Sequence, residues 1–219
     1  DRMMSRGLGD VYKRQQNTLI IFNSDNGAHG KGGSLEFFKS SGKLKGKKRE
    51  MYDGGIKSPM FAYWPGSIKA GTTSEHVSAF WDMLPTFSEL TAEPIVGETD
   101  GISILPTLLG NPKEQKQHQH LYWELYEGVP NSAVRYGKWK AVVLNRRKKL
   151  EIELYNLETD PCESENIANQ HPEIVEKMKN FMNNSHKTNP FWDATNSPLF
   201  NADAAAKANG VKADYNNSY

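Results

Sequence analysis

Asp25 and Asn26 are the first residues of this sequence whose types and spacing could do chemistry. A carboxylate and an amide oxygen side by side are ligands that a hard divalent cation prefers. The preceding residues 18–22 are β-branched, aliphatic or aromatic, which indicates a strand buried on both faces, as in a parallel sheet. Because ligands of open α/β sheets bind beyond the carboxyl ends of the strands, the pair occupies a suitable position for a metal site. Taken alone, the segment is also explained by a strand that ends in an Asn26-Gly27 turn.

A cluster of basic residues follows at positions 43–49, where five of the seven side chains are Lys or Arg. It leads into Tyr52-Asp53-Gly54-Gly55, and the paired glycines indicate a backbone that passes close to another group. A nucleic-acid surface is disfavoured, because no aromatic residues interleave with the charges. A lysine held beside a cation would instead suit an anionic, oxygen-rich substrate such as a sulfate or phosphate ester. A solvated basic loop is the plainer alternative.

The composition gives no global argument for a nucleic acid or an anionic membrane as partner. Lysine plus arginine number 27 against 26 for aspartate plus glutamate, so the formal net charge is +1. No apolar run approaches the roughly 20 residues that a membrane-spanning helix needs. The hydrophobic share of 37% and the five tryptophans are adequate for a packed core. The single cysteine, Cys162, cannot form an internal disulfide.

The order of patterns along the chain predicts a mixed α/β protein. We expect a polar leader or assembly scar (1–16), an α/β part (17–111), a small antiparallel β subdomain with a helix (112–185) and an extended or disordered tail (186–219). In the α/β part, a short strand is predicted at 77–80. Asp82 has the position of a helix N-cap, and the helix is predicted to end near Thr91.

The subdomain alternates short apolar strands with polar turns. Strands are predicted at 121–125, 132–135, 139–144 and 150–157, with Arg146–Lys149 as a hairpin loop. Pro172 opens a helix in which apolar residues recur at i, i+3/i+4 and i+7/i+8. The pattern therefore predicts a small antiparallel sheet closed by one helix.

Several motifs occur in an order and spacing that resemble one known family. They are Ser24-Asp25-Asn26-Gly27, Lys48 four residues before Tyr52-Asp53-Gly54-Gly55-Ile56-Lys57-Ser58-Pro59, Trp64-Pro65-Gly66, Trp81 to Thr86, Asp100 to Ser103 with Leu105 to Gly110, Arg135 to Lys140, and Glu153 to Leu157 with Asp160-Pro161. In these residues the chain resembles the C-terminal half of the type I, formylglycine-dependent sulfatases of the alkaline-phosphatase-like superfamily. The resemblance covers roughly residues 17 to 185.

The resemblance implies roles for individual residues. Asp25 and Asn26 match the pair that supplies two ligands to the active-site calcium of that family. Lys48 matches the lysine that contacts the sulfate ester and helps to stabilise the leaving oxygen. His29 lies in the substrate-facing loop, where it is either a hydrogen-bonding partner of the ester or a subsite or surface residue.

Two positions depart from the family pattern. The family normally has Glu where this chain has Asp53, and Arg where it has Lys57. Both changes keep the charge. We expect them to affect the structural support of the loop more than its chemistry.

The resemblance also implies a fold and a reaction. The fold is α/β: the C-terminal portion of an alkaline-phosphatase-like sulfatase sheet, followed by a small antiparallel C-terminal subdomain with a closing helix. The reaction is hydrolysis of a sulfate monoester, on a sulfated small molecule or glycan, with Ca²⁺ bound. The family is found in the periplasm or is secreted, and we expect the same here.

The nucleophile of that family is a formylglycine made from a cysteine in a C-x-P-S-R motif. That motif is absent here, and Cys162, in Asp160-Pro161-Cys162-Glu163-Ser164, is expected to be a bystander in a turn. The resemblance therefore implies that an N-terminal half of the same protein supplies the formylglycine and the other calcium ligands. This chain alone is expected to be inactive.

Other interpretations remain open from the residues. A related phosphoesterase or phosphonate hydrolase would share the metal-centred sheet. A non-catalytic remnant or glycan-binding module could use the basic residues Arg146–Lys149. His118 and His120 could bind a metal if a strand placed both on one side, but an exposed polar linker is the favoured interpretation.

Overall fold

The computed structural model describes residues 14–30, 35–125, 131–144 and 151–187. The predicted leader, tail and Arg146–Lys149 hairpin loop fall wholly or mostly outside these residues. The chain forms two compact units. Of the described residues, those at 14–26 and 58–119 belong to the first, and those within 27–57 and 120–187 belong to the second. No helix among the described residues is long and apolar enough to cross a membrane.

In the first unit, β1 (Ile20–Asn23) pairs with β2 (Met60–Tyr63) in an antiparallel ladder. The sequence-based expectation of a parallel strand buried on both faces is therefore wrong for the described residues. One face of the pair is exposed, with accessibilities of 54% for Ile20, 67% for Phe22, 64% for Phe61 and 59% for Tyr63. These four residues, here called the aromatic strand face, lie on one side because side chains alternate along a strand.

The helical part of the first unit begins with α3 (Met83–Thr91), which has the predicted end. Its last residue is followed by Ala92 in the left-handed conformation, with φ of 58°. The predicted short strand at 77–80 is wrong: the chain there leads into a one-turn 3₁₀ helix, Phe80–Asp82. The next helix, α4 (Leu105–Leu108), brings Ile104 and Leu105 into the interior.

Asp82 precedes α3, but its carboxylate does not cap that helix. Instead it accepts hydrogen bonds from the backbone N–H of Ala79 at 2.7 Å and of Ile102 at 2.9 Å. His118 Nε2 lies 2.8 Å from the same carboxylate, and the His118 side chain is only 10% exposed. The expectation that His118 belongs to an exposed linker is therefore wrong, because a buried carboxylate draws the imidazole inward.

The second unit contains a four-stranded antiparallel sheet in the order β3-β4-β5-β6. Its strands are β3 (Leu121–Leu125), β4 (Asn131–Tyr136), β5 (Trp139–Leu144) and β6 (Glu151–Asn156). This confirms the predicted strands. Consecutive residues of β5, such as Ala141, Val142 and Val143, are all fully buried. Since neighbouring side chains point to opposite faces, both faces of this sheet must be covered.

The closing helix α5 (Pro172–Ser185) covers one face, as predicted. Its Met178 and Met182 pack with residues of the sheet: Val134, Ala141, Val143 and Leu154. His120 also contacts this helix, stacking on Phe181 at 4.3 Å and bonding to Ser185 Oγ at 2.7 Å. The exposed-linker interpretation is therefore wrong for His120 as well.

The other face of the sheet is covered by the segment that contains the Tyr-Asp-Gly-Gly motif. Met51 and Tyr52 pack against Ala133, Val142 and Tyr155. The short helix α2 (Asp53–Ile56) follows directly; α1 (Leu35–Phe38) is the other helix in this segment. The sequence-based division assigned residues 27–57 to the α/β part, whereas in the structure they pack in the unit of the four-stranded sheet.

A buried ion cluster joins this segment to the sheet. Lys140 of β5 is 1% exposed, and its Nζ lies 2.6 Å from Asp53 Oδ1 and 2.7 Å from Glu163 Oε1. The second oxygen of Glu163 accepts the backbone N–H of Asp53 at 2.6 Å. We call Lys140, Asp53 and Glu163 the buried triad. It couples the central strand, the motif and the turn after β6.

Replacing Lys140 with Met is expected to lower the free energy of unfolding by about 3–5 kcal/mol, because two buried carboxylates lose their counter-ion. The matched control is Lys138→Met, since Lys138 is 42% exposed and lies 3.8 Å from Glu158. The control is expected to change stability by less than about 1 kcal/mol. Urea denaturation of the chain measures both. Equal effects of the two substitutions would contradict a stabilising role for the triad.

The triad also predicts a pH dependence of stability. Burial raises the pKa of the Glu163 carboxyl above 4.5, while the Lys140 ammonium opposes this shift. A carboxyl with a raised pKa binds more protons in the folded than in the unfolded state, so its contribution to stability is lost as pH rises above that value.

Glu163→Gln removes this titration. The stability of the natural chain minus that of the variant is therefore expected to fall as pH rises above about 4.5. Urea denaturation of both proteins at several pH values measures the difference. A difference that stays constant or rises with pH would contradict the raised pKa.

Candidate active site

Three glycines allow three backbone segments of the second unit to meet. The N–H of Gly27 donates to Gly55 O at 2.8 Å, and the N–H of Gly54 donates to Lys45 O at 2.7 Å. A Cβ atom on Gly27 would lie 1.8 Å from Gly54 O, and one on Gly54 would lie 2.4 Å from Gly46 O. No side chain fits these positions. The predicted close approach of backbone at the paired glycines is confirmed, and we call the region the glycine crossing.

Lys48 is held at the glycine crossing by its backbone. Its N–H donates to Ala28 O at 2.9 Å, and the N–H of Glu50 donates to Lys47 O at 2.9 Å. The second bond closes a tight turn with Lys48 and Arg49 at its centre. Arg49 has φ of 79°, a left-handed conformation that costs about 1–3 kcal/mol for a residue with a side chain. Such strain is typical of functional sites and is kept only where surrounding bonds require it.

The lysines around this turn have different surroundings. Lys45 Nζ donates to the Tyr155 hydroxyl at 3.1 Å and lies 4.0 Å from the centre of the Tyr52 ring. Lys47 is half exposed and lies 4.0 Å from Glu50 Oε1. Among the described residues, the Lys48 ammonium has no ion-pair or hydrogen-bond partner. Lys48 is therefore available to an external anion, whereas Lys45 is committed to the protein.

The contacts of Lys45 belong to a polar network on the sheet. The hydroxyls of Tyr52 and Tyr155 donate to Glu153 Oε2 at 2.6 and 2.7 Å. Burial, with the Glu153 carboxylate as acceptor, raises the pKa of both phenols, so they stay neutral. The network fixes Lys45, near the start of the basic segment 43–49. The buried triad fixes Asp53, which lies just after that segment.

His29 follows Ala28, whose carbonyl accepts the Lys48 N–H. The structure thus brings the His29 and Lys48 segments together within the second unit. The His29 side chain is half-buried. Its part in the chemistry stays a prediction.

Asp25 and Asn26 follow β1 in the first unit. Ser58 Oγ donates to Ser24 O at 2.8 Å and to Asn23 Oδ1 at 2.9 Å, which fixes the end of β1 just before the pair. The Asp25 carboxylate is exposed and has no ion-pair or hydrogen-bond partner among the described residues. An exposed carboxylate beside an amide suits a hard cation, so the donor types fit calcium.

The pair does not make a complete metal site. In the part of the chain that the structure describes, no three His, Cys, Asp or Glu side chains form a group that could hold a metal ion. A calcium ion takes about 6–8 oxygen ligands. Asp25 and Asn26 can therefore supply only part of its shell.

Sequence reasoning missed the residues that support this site. Lys140, Glu163 and Glu153 were not among the candidates, although the structure bonds them to the Tyr52-Asp53 region. One signal was present for Lys140. It lies two residues before Val142 on β5, so both side chains point to the same buried face, and a lysine on a buried face requires carboxylate partners.

Comparison with known proteins places the chain among sulfatases. It is 32% identical to human arylsulfatase A over 201 residues, which are 78% of this chain and 38% of that protein. It is 27% identical to the N-acetylgalactosamine-6-O-sulfatase of Bacteroides thetaiotaomicron over 195 residues, 79% of this chain and 37% of that protein. The chain thus spans about two fifths of the length of these relatives.

The fold is also found in solved structures. The crystal structure of Ps i-CgsB matches with a TM-score of 0.70 and 25% identity, covering 91% of this chain and 43% of that one. The chain therefore has the mixed α/β fold of alkaline-phosphatase-like sulfatases, here with antiparallel sheets.

A family model supplies the assignment. The model described as N-sulphoglucosamine sulphohydrolase, C-terminal, matches residues 46–188. This range includes Lys48, the Tyr-Asp-Gly-Gly motif, the four-stranded sheet and α5. The chain therefore belongs to the sulfatase family of the N-sulphoglucosamine sulphohydrolase C-terminal type.

Proposed function

We propose that this chain is the C-terminal part of a type I sulfatase that hydrolyses sulfate monoesters. The observation that carries the proposal is Lys48, whose backbone is fixed at the glycine crossing while its ammonium has no partner among the described residues. Family membership and relatives named as sulfatases support the same reaction. An unpaired ammonium on a fixed backbone is suited to bind an anionic ester.

The role proposed for Lys48 follows from charge. A sulfate ester carries negative charge on its oxygens, and cleavage of the ester bond places more on the leaving oxygen. An ammonium already held in place opposes that charge without the reorganisation that water would need. Lys48 is therefore expected to contact the ester and favour departure of the leaving oxygen, with His29 as a hydrogen-bonding partner on the same loop.

Asp25 and Asn26 are proposed to supply two oxygen ligands to a calcium ion. Bound calcium would neutralise charge on the sulfate oxygens. The other ligands and the formylglycine nucleophile are proposed to come from sulfatase residues outside these 219. The lengths of the relatives leave room for such residues, since the match covers only 38% of human arylsulfatase A.

The aromatic strand face is the proposed contact with the rest of the sulfatase. Its four exposed apolar side chains are 54–67% accessible, and Phe22 and Phe61 lie next to each other with ring centres 6.3 Å apart. Contiguous exposed apolar surface commonly marks an interaction site. An N-terminal half of the same protein would cover it.

The substrate is proposed to be a sulfated carbohydrate. One relative is named for N-acetylgalactosamine 6-O-sulfate, which supports a sugar ester but does not specify this chain's substrate. Secretion or a periplasmic location is proposed from the family. A phosphoesterase of the same superfamily and a non-catalytic glycan-binding module are the alternatives, and the first experiment below separates the phosphoesterase from the sulfatase.

Lys48→Ala is expected to reduce turnover of an aryl sulfate by about 10²–10³-fold, the loss typical of one transition-state charge donor. The assay uses the protein that contains this chain together with its formylglycine segment. The control is Lys47→Ala, because Lys47 is solvent-exposed beside Glu50 in the same turn. Similar rates for both variants would contradict the role of Lys48, and preferential turnover of phosphate esters would favour the phosphoesterase alternative.

Asp25→Ala is expected to weaken calcium affinity by on the order of ten-fold or more, because the ion loses a carboxylate ligand. Isothermal titration of calcium into the same protein measures this without relying on activity. Asp100→Asn is the control, since Asp100 is an exposed acid of the same unit. Unchanged affinity in Asp25→Ala would exclude this residue from the calcium shell.

A further inference from the structure

We infer that the buried triad is a positioning clamp through which the four-stranded sheet sets the place of Lys48. The inference rests on the proposed function for the importance of Lys48, but the geometry of the clamp is independent of it. Lys140, Asp53 and Glu163 do not touch the Lys48 side chain in the described contacts. They act through the backbone of the glycine crossing.

Two contacts restrain Asp53. Its carboxylate lies 2.6 Å from Lys140 Nζ, and its backbone N–H donates to Glu163 Oε2 at 2.6 Å. Asp53 is therefore fixed through both its side chain and its main chain. Because Lys140 and Glu163 are at most 1% exposed, water cannot replace these contacts.

Backbone hydrogen bonds transmit this restraint from Asp53 to neighbouring segments. Gly54 follows Asp53 and donates its N–H to Lys45 O at 2.7 Å, while Gly55 O accepts the N–H of Gly27 at 2.8 Å. Gly27 precedes Ala28, and Ala28 O accepts the N–H of Lys48 at 2.9 Å. A shift of Asp53 would therefore move both segments that hold the Lys48 turn.

The buried triad is also costly in charge and in backbone strain. One ammonium faces two carboxyl groups in the interior, so it cannot neutralise both of them when they are ionised. Glu163 also has φ of 55°, a left-handed conformation unfavourable for a residue with a side chain. Well-packed apolar residues often stabilise as well as a buried ion pair does. A costly arrangement with short, directional bonds is better explained by the need for a defined geometry.

The test is amide hydrogen exchange, measured by NMR on the natural 219-residue chain and on its Asp53→Asn variant. Asparagine keeps the size of the aspartate side chain. The amides of Gly27, Gly54 and Lys48 are expected to exchange about ten-fold faster in the variant, because local opening becomes easier. The amides of Ala141 and Val142 in β5 are expected to accelerate less than those at the crossing, because Lys140 keeps Glu163 as a counter-ion in this variant. Glu158→Gln is the control, since Glu158 is an exposed acid outside the triad.

A second variant, Glu163→Gln, guards against failure of the first to fold and is expected to give the same local pattern. Unchanged exchange at the glycine crossing in both variants would overturn the clamp. Equal acceleration at the crossing and in β5 would also overturn it, because the triad would then stabilise the fold without positioning the loop.

Activity gives a separate readout in the protein that contains the formylglycine segment. Asp53→Asn is expected to lower kcat on an aryl sulfate by about ten-fold or more with KM changed less than about three-fold, since a misplaced group loses transition-state contacts. An effect on KM alone would overturn the link to Lys48. If Lys48→Ala leaves activity intact while the exchange pattern holds, the proposed function fails and the clamp stands.

Discussion

A lysine buried between two carboxylates is the constraint on which the second unit depends. The ammonium of Lys140 cannot remain in an apolar interior without partners, and it obtains them from Asp53 and Glu163. These partners come from separate parts of the chain, 87 residues before Lys140 and in the turn after β6. The buried charge on β5, together with the packing of Met51 and Tyr52 on the sheet, therefore places the Tyr-Asp-Gly-Gly motif.

The glycine crossing converts that placement into a defined position for Lys48. Backbone hydrogen bonds, rather than contacts of the Lys48 side chain, hold the turn, and glycine is required where Gly27 meets the carbonyl of Gly54. The ammonium is left without a protein partner in the described contacts. A backbone held in one place, with the charge left for the substrate, favours electrostatic preorganisation. The left-handed Arg49 beside it shows that local backbone preference yields to this requirement.

Each unit, taken by itself, carries residues of the proposed chemistry. The first presents the exposed Asp25 carboxylate at the end of β1, together with the aromatic strand face. The second presents Lys48 on a loop anchored to a sheet that is buried on both faces. A sheet covered by α5 on one side and by the motif on the other is a rigid support, and rigid supports keep charged groups in productive geometry.

The sequence by itself determined the strands of the second unit and the helix α5, because alternation and helical spacing are local patterns that packing reinforces here. Motif order likewise indicated the family, and the resemblance to that family, which matches Lys48 four residues before Tyr52, singled out Lys48 among the basic residues. Only the tertiary structure decided the antiparallel pairing and exposed face of β1, because a strand's partners and cover depend on distant segments. It alone joined Lys140 to Asp53 and Glu163, since a buried charge is recognised by its neighbours in space, and their separation in sequence leaves no local pattern.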